Sequence, residues 1–216
     1  RALRCFDVPA LTGEDRDRAA MYRARREVAA ETVNVESVDD WLRSLGSLVH
    51  VERLGDANRV RAAQLLNKTN QMNLATRRMS EAGLVGWAAD EAHEFWTFGL
   101  ADRFGDHGVT GLLGLARVRD SLEVVDFVMS CRVLGRNLER SMIAWAVGRA
   151  RDAGLRRLVA RYRPTGKNRP CLDFLRSSGL LEVDETAVFE WAAAESYAVP
   201  EGVDLRGPAE RRTTPA

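Results

Sequence analysis

With 216 residues, 45% of them apolar and 29% charged, the chain has room for one substantial core and the balance of an ordinary soluble globular domain. Lys and Arg total 32 against 31 Asp and Glu, so a net charge of +1 gives no general case for nucleic acid, and no membrane-spanning apolar run is present. Three scattered cysteines (Cys5, Cys131, Cys171) and three isolated histidines (His50, His93, His107) form neither a disulfide framework nor a metal-ligand spacing, so the expectation is a reducing, cytoplasmic setting and no metal.

The opening Arg1-Ala2-Leu3-Arg4 lacks an apolar h-region and reads as the boundary of an excised domain rather than a secretory signal. Residues 1–46 read as a helical connector. Thr12 with Asp15, and Ser37 with Asp40, have capping-box spacing with Asp in place of the usual Glu, and the stretch 15–31 is rich in Arg, Ala and Glu. A strand is predicted over 48–54, stopped by Gly55-Asp56. Asp56 can cap a helix whose apolar face carries Val60, Ala63, Leu65 and Leu66. A polar stretch over 67–74 follows, then a helix over 80–90. Strands are predicted over 95–101, 109–117 and 122–130, with a turn at Gly105-Asp106-His107-Gly108. A helix over 138–153 places Leu138, Met142, Trp145 and Ala146 on one side. A strand over 158–162, a helix over 168–178 ended by Gly179, and a strand over 186–191 complete a single domain over 47–195. The tail 196–216 is expected to be disordered. The order predicts an α/β (α+β) protein whose mixed sheet is mostly antiparallel and flanked by helices.

Charge is uneven along this order. Between Arg132 and Arg169 lie Arg136, Arg140, Arg149, Arg151, Arg156, Arg157, Arg161, Arg163 and Lys167, opposed only by Glu139 and Asp152. Such a run reads either as a solvated face or as a surface for phosphates or an acidic partner protein. Within it, Arg132-Val133-Leu134-Gly135-Arg136-Asn137 joins an apolar strand to an amphipathic helix. A Gly-containing turn there exposes backbone N–H groups at a helix N-terminus, where an anion is favoured, and Arg132 and Arg136 would add charge-assisted contacts.

This Arg-x-x-Gly-x-x turn resembles the pyrophosphate loop of GNAT acetyltransferases, with Asn137 where Gly or Ala is usual; Asn tolerates left-handed backbone better than most residues. Asn168, Pro170, Phe174, Gly179 and Leu180 resemble the run that ends GNAT domains. The resemblance implies a GNAT-like acyl-CoA N-acyltransferase fold. It sets the strand ending at Cys131 beside the thioester, and the helix after Asn168 beside the pantetheine arm.

A narrower resemblance is carried by residues 65–74 with Arg77-Arg78, by 103–108, by 129–136 and by 162–168. These stretches look like the signature of FkbH-like proteins, and the connector over 11–26 resembles the segment that follows the phosphatase domain of full-length members. The chain resembles the C-terminal acyltransferase domain of that family. Relatives of this kind carry an upstream haloacid-dehalogenase-like phosphatase domain. They take 1,3-bisphosphoglycerate, form a glyceryl thioester on an enzyme cysteine, remove phosphate, and deliver glycerate to an acyl carrier protein in polyketide biosynthesis. The implied partners are an acyl carrier protein and the phosphatase domain, in cis or in trans, with neither nucleic acid nor membrane. No cofactor is implied as permanently bound; the acyl carrier is phosphopantetheine on the carrier protein, or CoA.

On these motifs Cys131 is the candidate nucleophile, its thiolate favoured by Arg132, Arg136 and the following helix N-terminus; the competing reading is a buried small apolar residue. Cys171 and Cys5 read as structural or incidental. His107 is the candidate base and Asp106 a substrate or turn-shaping group. Tyr162 and Thr165 are candidate hydrogen-bond donors to a thioester oxygen or hydroxyl, with core packing equally open for Tyr162. Asn70, Gln71 and Asn73 can serve glycerate hydroxyls or cap a helix end. Lys167 and Asn168 join the substrate set, with Arg163 and Lys167 toward phosphate, and residues 132–137 form the phosphopantetheine loop. Two other functions compete: an acetyl-CoA-dependent N-acetyltransferase with CoA at 132–137 and an amine acceptor, and a non-catalytic carrier-protein docking module.

Overall fold

Nine strands and five helices order the described residues, 37–184 and 186–208, of the computed structural model. The chain divides after Trp41 into two compact units. In the first, Asp40 N donates to Ser37 Oγ at 3.1 Å, the cap that the Ser-x-x-Asp spacing predicts for α1 (Val38–Ser44). Thr12, the connector helix over 15–31, the resemblance over 11–26 and Cys5 lie outside the described residues.

The second unit is built on three long antiparallel strands, β3 (His93–Asp102), β4 (Gly105–Val118) and β5 (Ser121–Met129). Both faces of these strands are apolar because both are covered. Trp96, Phe98, Leu100, Leu113 and Leu115 join Met142, Ile143 and Ala146 of α4 (Leu138–Asp152) and Leu175 of α5 (Arg169–Ser177) in the larger core. Phe95, Leu112 and Val128 pack in a second core with Ala62, Leu65 and Leu66 of α2 (Arg59–Lys68) and Leu84 of α3 (Glu81–Ala88). As the sequence predicts, α3 starts at Ser80, whose Oγ accepts from Gly83 N at 3.0 Å.

The full sheet runs β7-β8-β6-β5-β4-β3-β1-β9, with β2 (Met72–Asn73) also paired to β5. β1 is Ser47–Arg53, β6 Arg157–Arg161, β7 Leu181–Asp184 and β8 Val188–Ala192. β5 and β6 pair in parallel, joined through α4 as a parallel pair requires. Their pairing ends at Val124↔Ala160. Just there β5 bulges: Leu115 pairs with Val124 and Gly114 with Asp126. Gly114 admits the bulge, since a Cβ at this position would lie 2.7 Å from the Phe95 ring and 2.8 Å from Asp126 Oδ2. Past the bulge β2 takes the place of β6, with Met72 paired to Met129 and Asn73 to Val128.

Three expectations are corrected. The turn expected at 105–108 is already strand: the chain reverses at Arg103-Phe104, and Gly105 pairs with Asp102. The polar stretch over 67–74 ends in β2. The tail expected to be disordered supplies β9 (Val203–Arg206), parallel to β1 from Ser47↔Val203 to His50↔Arg206. Gly202, at φ +77, turns the chain onto that edge, and its carbonyl accepts from Ser47 N at 3.1 Å. Val203 and Leu205 then pack on the core, while Asp204 and Arg206 pair with each other outside at 2.6 Å. Residues 209–216 lie outside the described ones. Among the described residues no helix is long and apolar enough to cross a membrane.

Candidate active site

At the end of β5, Ser130 N donates to Thr110 O at 2.8 Å and Ser130 Oγ accepts from Arg132 N at 3.4 Å, fixing a one-turn 3-10 helix over Cys131–Val133. Cys131 is exposed and lines a cavity of about 680 Å³. One wall is the face of α2 carrying Arg61, Gln64 and Lys68. A second is the segment from Thr69 to Met72, and a third is Gly166, Lys167 and Pro170. Every charged residue on these walls is basic. Arg61 is steadied by its Nε bond to Val109 O at 3.2 Å. Its guanidinium is held below the ordinary arginine range by burial and by the charge of Arg132. Cationic charge gathers here against its own repulsion, which an anionic ligand would relieve.

Four predicted residues therefore meet: Cys131, Asn70, Gln71 and Lys167. Asn70 is braced, its Oδ1 accepting from the Arg78 guanidinium, which also binds Leu66 O and Thr69 O. Sequence reasoning missed Arg61, Gln64, Lys68 and Ser130. The spacing of Arg61, Gln64 and Lys68 was the available signal, since i, i+3, i+7 lie along one helix face; the apolar face of α2 drew the reading instead.

The other candidates are committed elsewhere. Asn168 is fully buried: Oδ1 accepts from Tyr162 Oη at 2.7 Å and Thr165 N at 2.7 Å, and Nδ2 donates to Asn73 O and Arg163 O, both at 2.9 Å. Tyr162 is buried with it, and burial pushes its phenol up. Asn73 is also fully buried, donating to Thr69 O at 3.0 Å and accepting from Thr76 N at 2.7 Å. These three side chains are buried and make their hydrogen bonds to the protein itself. Thr165 Oγ1 accepts from Lys167 N at 3.4 Å, shaping the loop that carries Lys167. Asp106 Oδ1 accepts from Gly108 N at 2.7 Å, the turn-shaping alternative.

His107 does not reach Cys131's cavity. Its Nε2 lies 3.0 Å from Arg136 Nη1 and 3.2 Å from Asp102 Oδ1. His107, expected as a base, stands instead in a part-buried cluster with Arg136 and Asp102, one contact calling for an acceptor at Nε2 and the other for a donor. Arg136 is itself 6% exposed, paired with Asp102 and set over the Phe104 ring, not turned to a phosphate. In the same loop Val133 is in the core and Leu134 at the surface. Asn137 adopts the left-handed backbone expected of it, φ +64. Gly135 N, the amide expected to face an anion, donates to Glu139 Oε1 at 2.8 Å. Burial raises the Glu139 carboxyl pKa against that bond.

The basic run divides likewise. Arg149 grips buried Glu94 through Nε at 3.0 Å and Nη2 at 2.9 Å, Arg140 donates to Ser177 O at 2.7 Å, and Arg157 Nε donates to Ser121 Oγ at 3.0 Å. Cys171 is fully buried, its thiol pushed up to about 12 by burial. An exposed thiol at a cation-lined cavity can attack an electrophilic acyl carbon whose leaving group is anionic; a buried thiol of that pKa cannot.

No protein-family model and no curated protein sequence matches the chain. Solved structures do. A domain from Methanocaldococcus jannaschii superposes with a TM-score of 0.53 at 13% identity, over 68% of this chain and 99% of that one. An acetyltransferase of the GNAT family from Staphylococcus aureus gives 0.51 at 7% identity, over 67% and 99%. The ribosomal-protein-S18-alanine N-acetyltransferase from Escherichia coli gives 0.50 at 12% identity, over 69% and 96%. At such identities the likeness is one of fold. The protein has the α+β fold of GNAT acetyltransferases.

Proposed function

We propose that this chain is an acyltransferase that holds a glyceryl unit as a thioester on Cys131 and passes it to the phosphopantetheine thiol of an acyl carrier protein, in the manner of FkbH-like proteins. The observation that carries the reading is the placement of Cys131: exposed, at the end of β5, on a cavity whose charged walls are Arg61, Lys68 and Lys167.

In the first step Cys131 Sγ, as thiolate, attacks the acyl carbon of an acyl phosphate. The C–S bond forms, the C–O bond to phosphate breaks, and the phosphate leaves with the bonding pair toward the cationic walls. Asn70 and Gln71, on the same cavity, would supply donors and acceptors to a glyceryl chain's hydroxyls. In the second step the deprotonated carrier thiol attacks the thioester and Cys131 departs as thiolate. One thioester replaces another, so no further energy source is required. A haloacid-dehalogenase-like phosphatase domain, in cis or in trans, removes the phosphate left on the glyceryl unit.

Intact-protein mass spectrometry tests this on wild type and Cys131→Ala, after incubation with 1,3-bisphosphoglycerate and a compatible phosphatase domain. A glyceryl-sized adduct on wild type alone is expected. No adduct on either, with acetyl-CoA turned over onto an amine, would replace this reading with an N-acetyltransferase.

A further inference from the structure

An arginine can only donate hydrogen bonds, so a carboxamide that meets one must present its oxygen. That fixes which way Asn70 faces. Its Oδ1 accepts from Arg78 Nη2, and its Nδ2 is left without an acceptor among the described residues. Asn70 lines the cavity of Cys131, so what it has left to offer there is an N–H donor. Gln71, on the same cavity, has no such brace among the described residues and keeps both a donor and an acceptor for a ligand's hydroxyl.

The brace is itself held. Arg78 Nη1 also donates to Leu66 O, and to Thr69 O at 3.2 Å, carbonyls at the C-terminal end of α2, where a cation is favoured. Its chain neighbours are fixed on either side. Arg77 binds the fully buried Asp126 carboxylate through Nη2 at 2.6 Å and Nε at 3.1 Å, and Met79 O accepts from Asn67 Nδ2 at 2.6 Å. The Asn70 carboxamide is therefore set before a ligand arrives, and a cation on its oxygen polarises the amide and strengthens its N–H. A preorganised donor does most where negative charge develops during reaction, as on the oxygen of an attacked acyl group.

We propose that Asn70 Nδ2 is the donor that stabilises the oxyanion formed when Cys131 attacks the acyl carbon, and that Arg78 is the positioning residue that orients it. Both roles rest on the acyltransferase reading. As the C–S bond forms, the carbonyl π pair moves onto oxygen, where the Asn70 N–H meets it. As the bond to phosphate breaks, the pair returns and the carbonyl is restored. When the carrier thiolate attacks the thioester, the same oxygen takes up and returns charge in the same way. Asn70 exchanges no proton in either step, and Arg61, Lys68 and Lys167 remain for the phosphate.

Acylation of Cys131 is to be compared with its alkylation on the full chain, by peptide mass. p-Nitrophenyl acetate acylates through an oxyanion, whereas iodoacetamide loses iodide and forms none. Asn70→Asp keeps an oxygen for Arg78, and with it the brace, but has no N–H to give. Its ratio of acylation to alkylation should fall about a hundredfold or more below wild type, the scale of losing one oxyanion donor, and Asn70→Ala should fall alike. Arg78→Ala should lose part of the same factor. Adding it to Asn70→Ala should cost nothing more, because the donor it orients is already gone. A wild-type ratio in Asn70→Asp would overturn the donor role, and losses that multiply in the double variant would overturn the positioning role. A wild type acylated by p-nitrophenyl acetate and not by 1,3-bisphosphoglycerate would sink the glyceryl reading and leave the roles of Asn70 and Arg78 intact.

Discussion

Two cysteines of the same chain, forty residues apart, end in opposite chemical states because of where their elements leave them. Cys131 stands just beyond the end of β5, after Ser130, and lines the cavity, while Cys171 lies on the inner side of α5. With its thiol pushed up to about 12, Cys171 holds almost no thiolate at neutral pH. Brief iodoacetamide treatment of the folded protein, read by peptide mass, should therefore label Cys131 and leave Cys171 unmodified; equal labelling would contradict these environments. The cationic walls make a second prediction. Removing one charged donor to a phosphate costs roughly 1.5–3 kcal/mol, so Arg61→Ala or Lys68→Ala should weaken the phosphorylated donor's KM by at least about tenfold. Circular dichroism should show the fold retained. Glu139 adds a pH dependence. Its pKa is raised in the folded state, so the folded protein binds that proton more tightly than the unfolded chain does. Its contribution to stability therefore grows as pH falls from neutrality toward the ordinary glutamate range, about 4.3. Urea midpoints should show wild type gaining on Glu139→Gln as pH is lowered through this range, and a difference that shrinks would reverse the sign.

At the scale of elements, Asn168 is a joint. Asn commonly caps a helix with its side chain, yet here it stands before α5 and turns its carboxamide away to bind Asn73, Arg163, Tyr162 and Thr165. Asn168→Ala leaves four partners unpaired, Tyr162 and Asn73 among them buried, and should cost about 3 kcal/mol or more, whereas Tyr162→Phe removes one bond and should cost about 1 kcal/mol. Equilibrium urea unfolding distinguishes the two; similar losses would mean that the hub is not cooperative. This joint also shows what was legible in the sequence. Alternating or continuous apolar runs announced β3, β4 and β5, and Leu65 and Leu66 announced the buried face of α2, because those signals are local; Val60, read onto the same face, is exposed. The Asn168 and Gly135 motifs were visible as resemblances, but their partners lie far along the chain. Asn73 is 95 residues from Asn168, and Asp102, which draws Arg136 inward, is 34 residues from it. No local pattern reports such pairings. A two-residue strand such as β2 has no periodicity to read, and the four residues of β9 alternate too briefly to stand out from a polar tail.

For the whole molecule, the order of the sheet places its parallel edge pair, β1 with β9, at the end opposite β7. Truncation before Val203 would bare the β1 edge together with core surface now covered by Val203 and Leu205, a template for strand pairing between chains. The truncated protein should melt at a lower temperature and self-associate by light scattering, while an unchanged monomer would make β9 dispensable. The reach from fold to function rests on one atom, the Sγ of Cys131, as a way-station for the acyl group. Its most direct test is to isolate the acyl-enzyme and mix it with holo acyl carrier protein, following the enzyme adduct and the carrier by mass. The account predicts that the adduct disappears as the carrier gains the same mass. A carrier that becomes loaded while the enzyme adduct stays in place would mean that the acyl group never passes through Cys131.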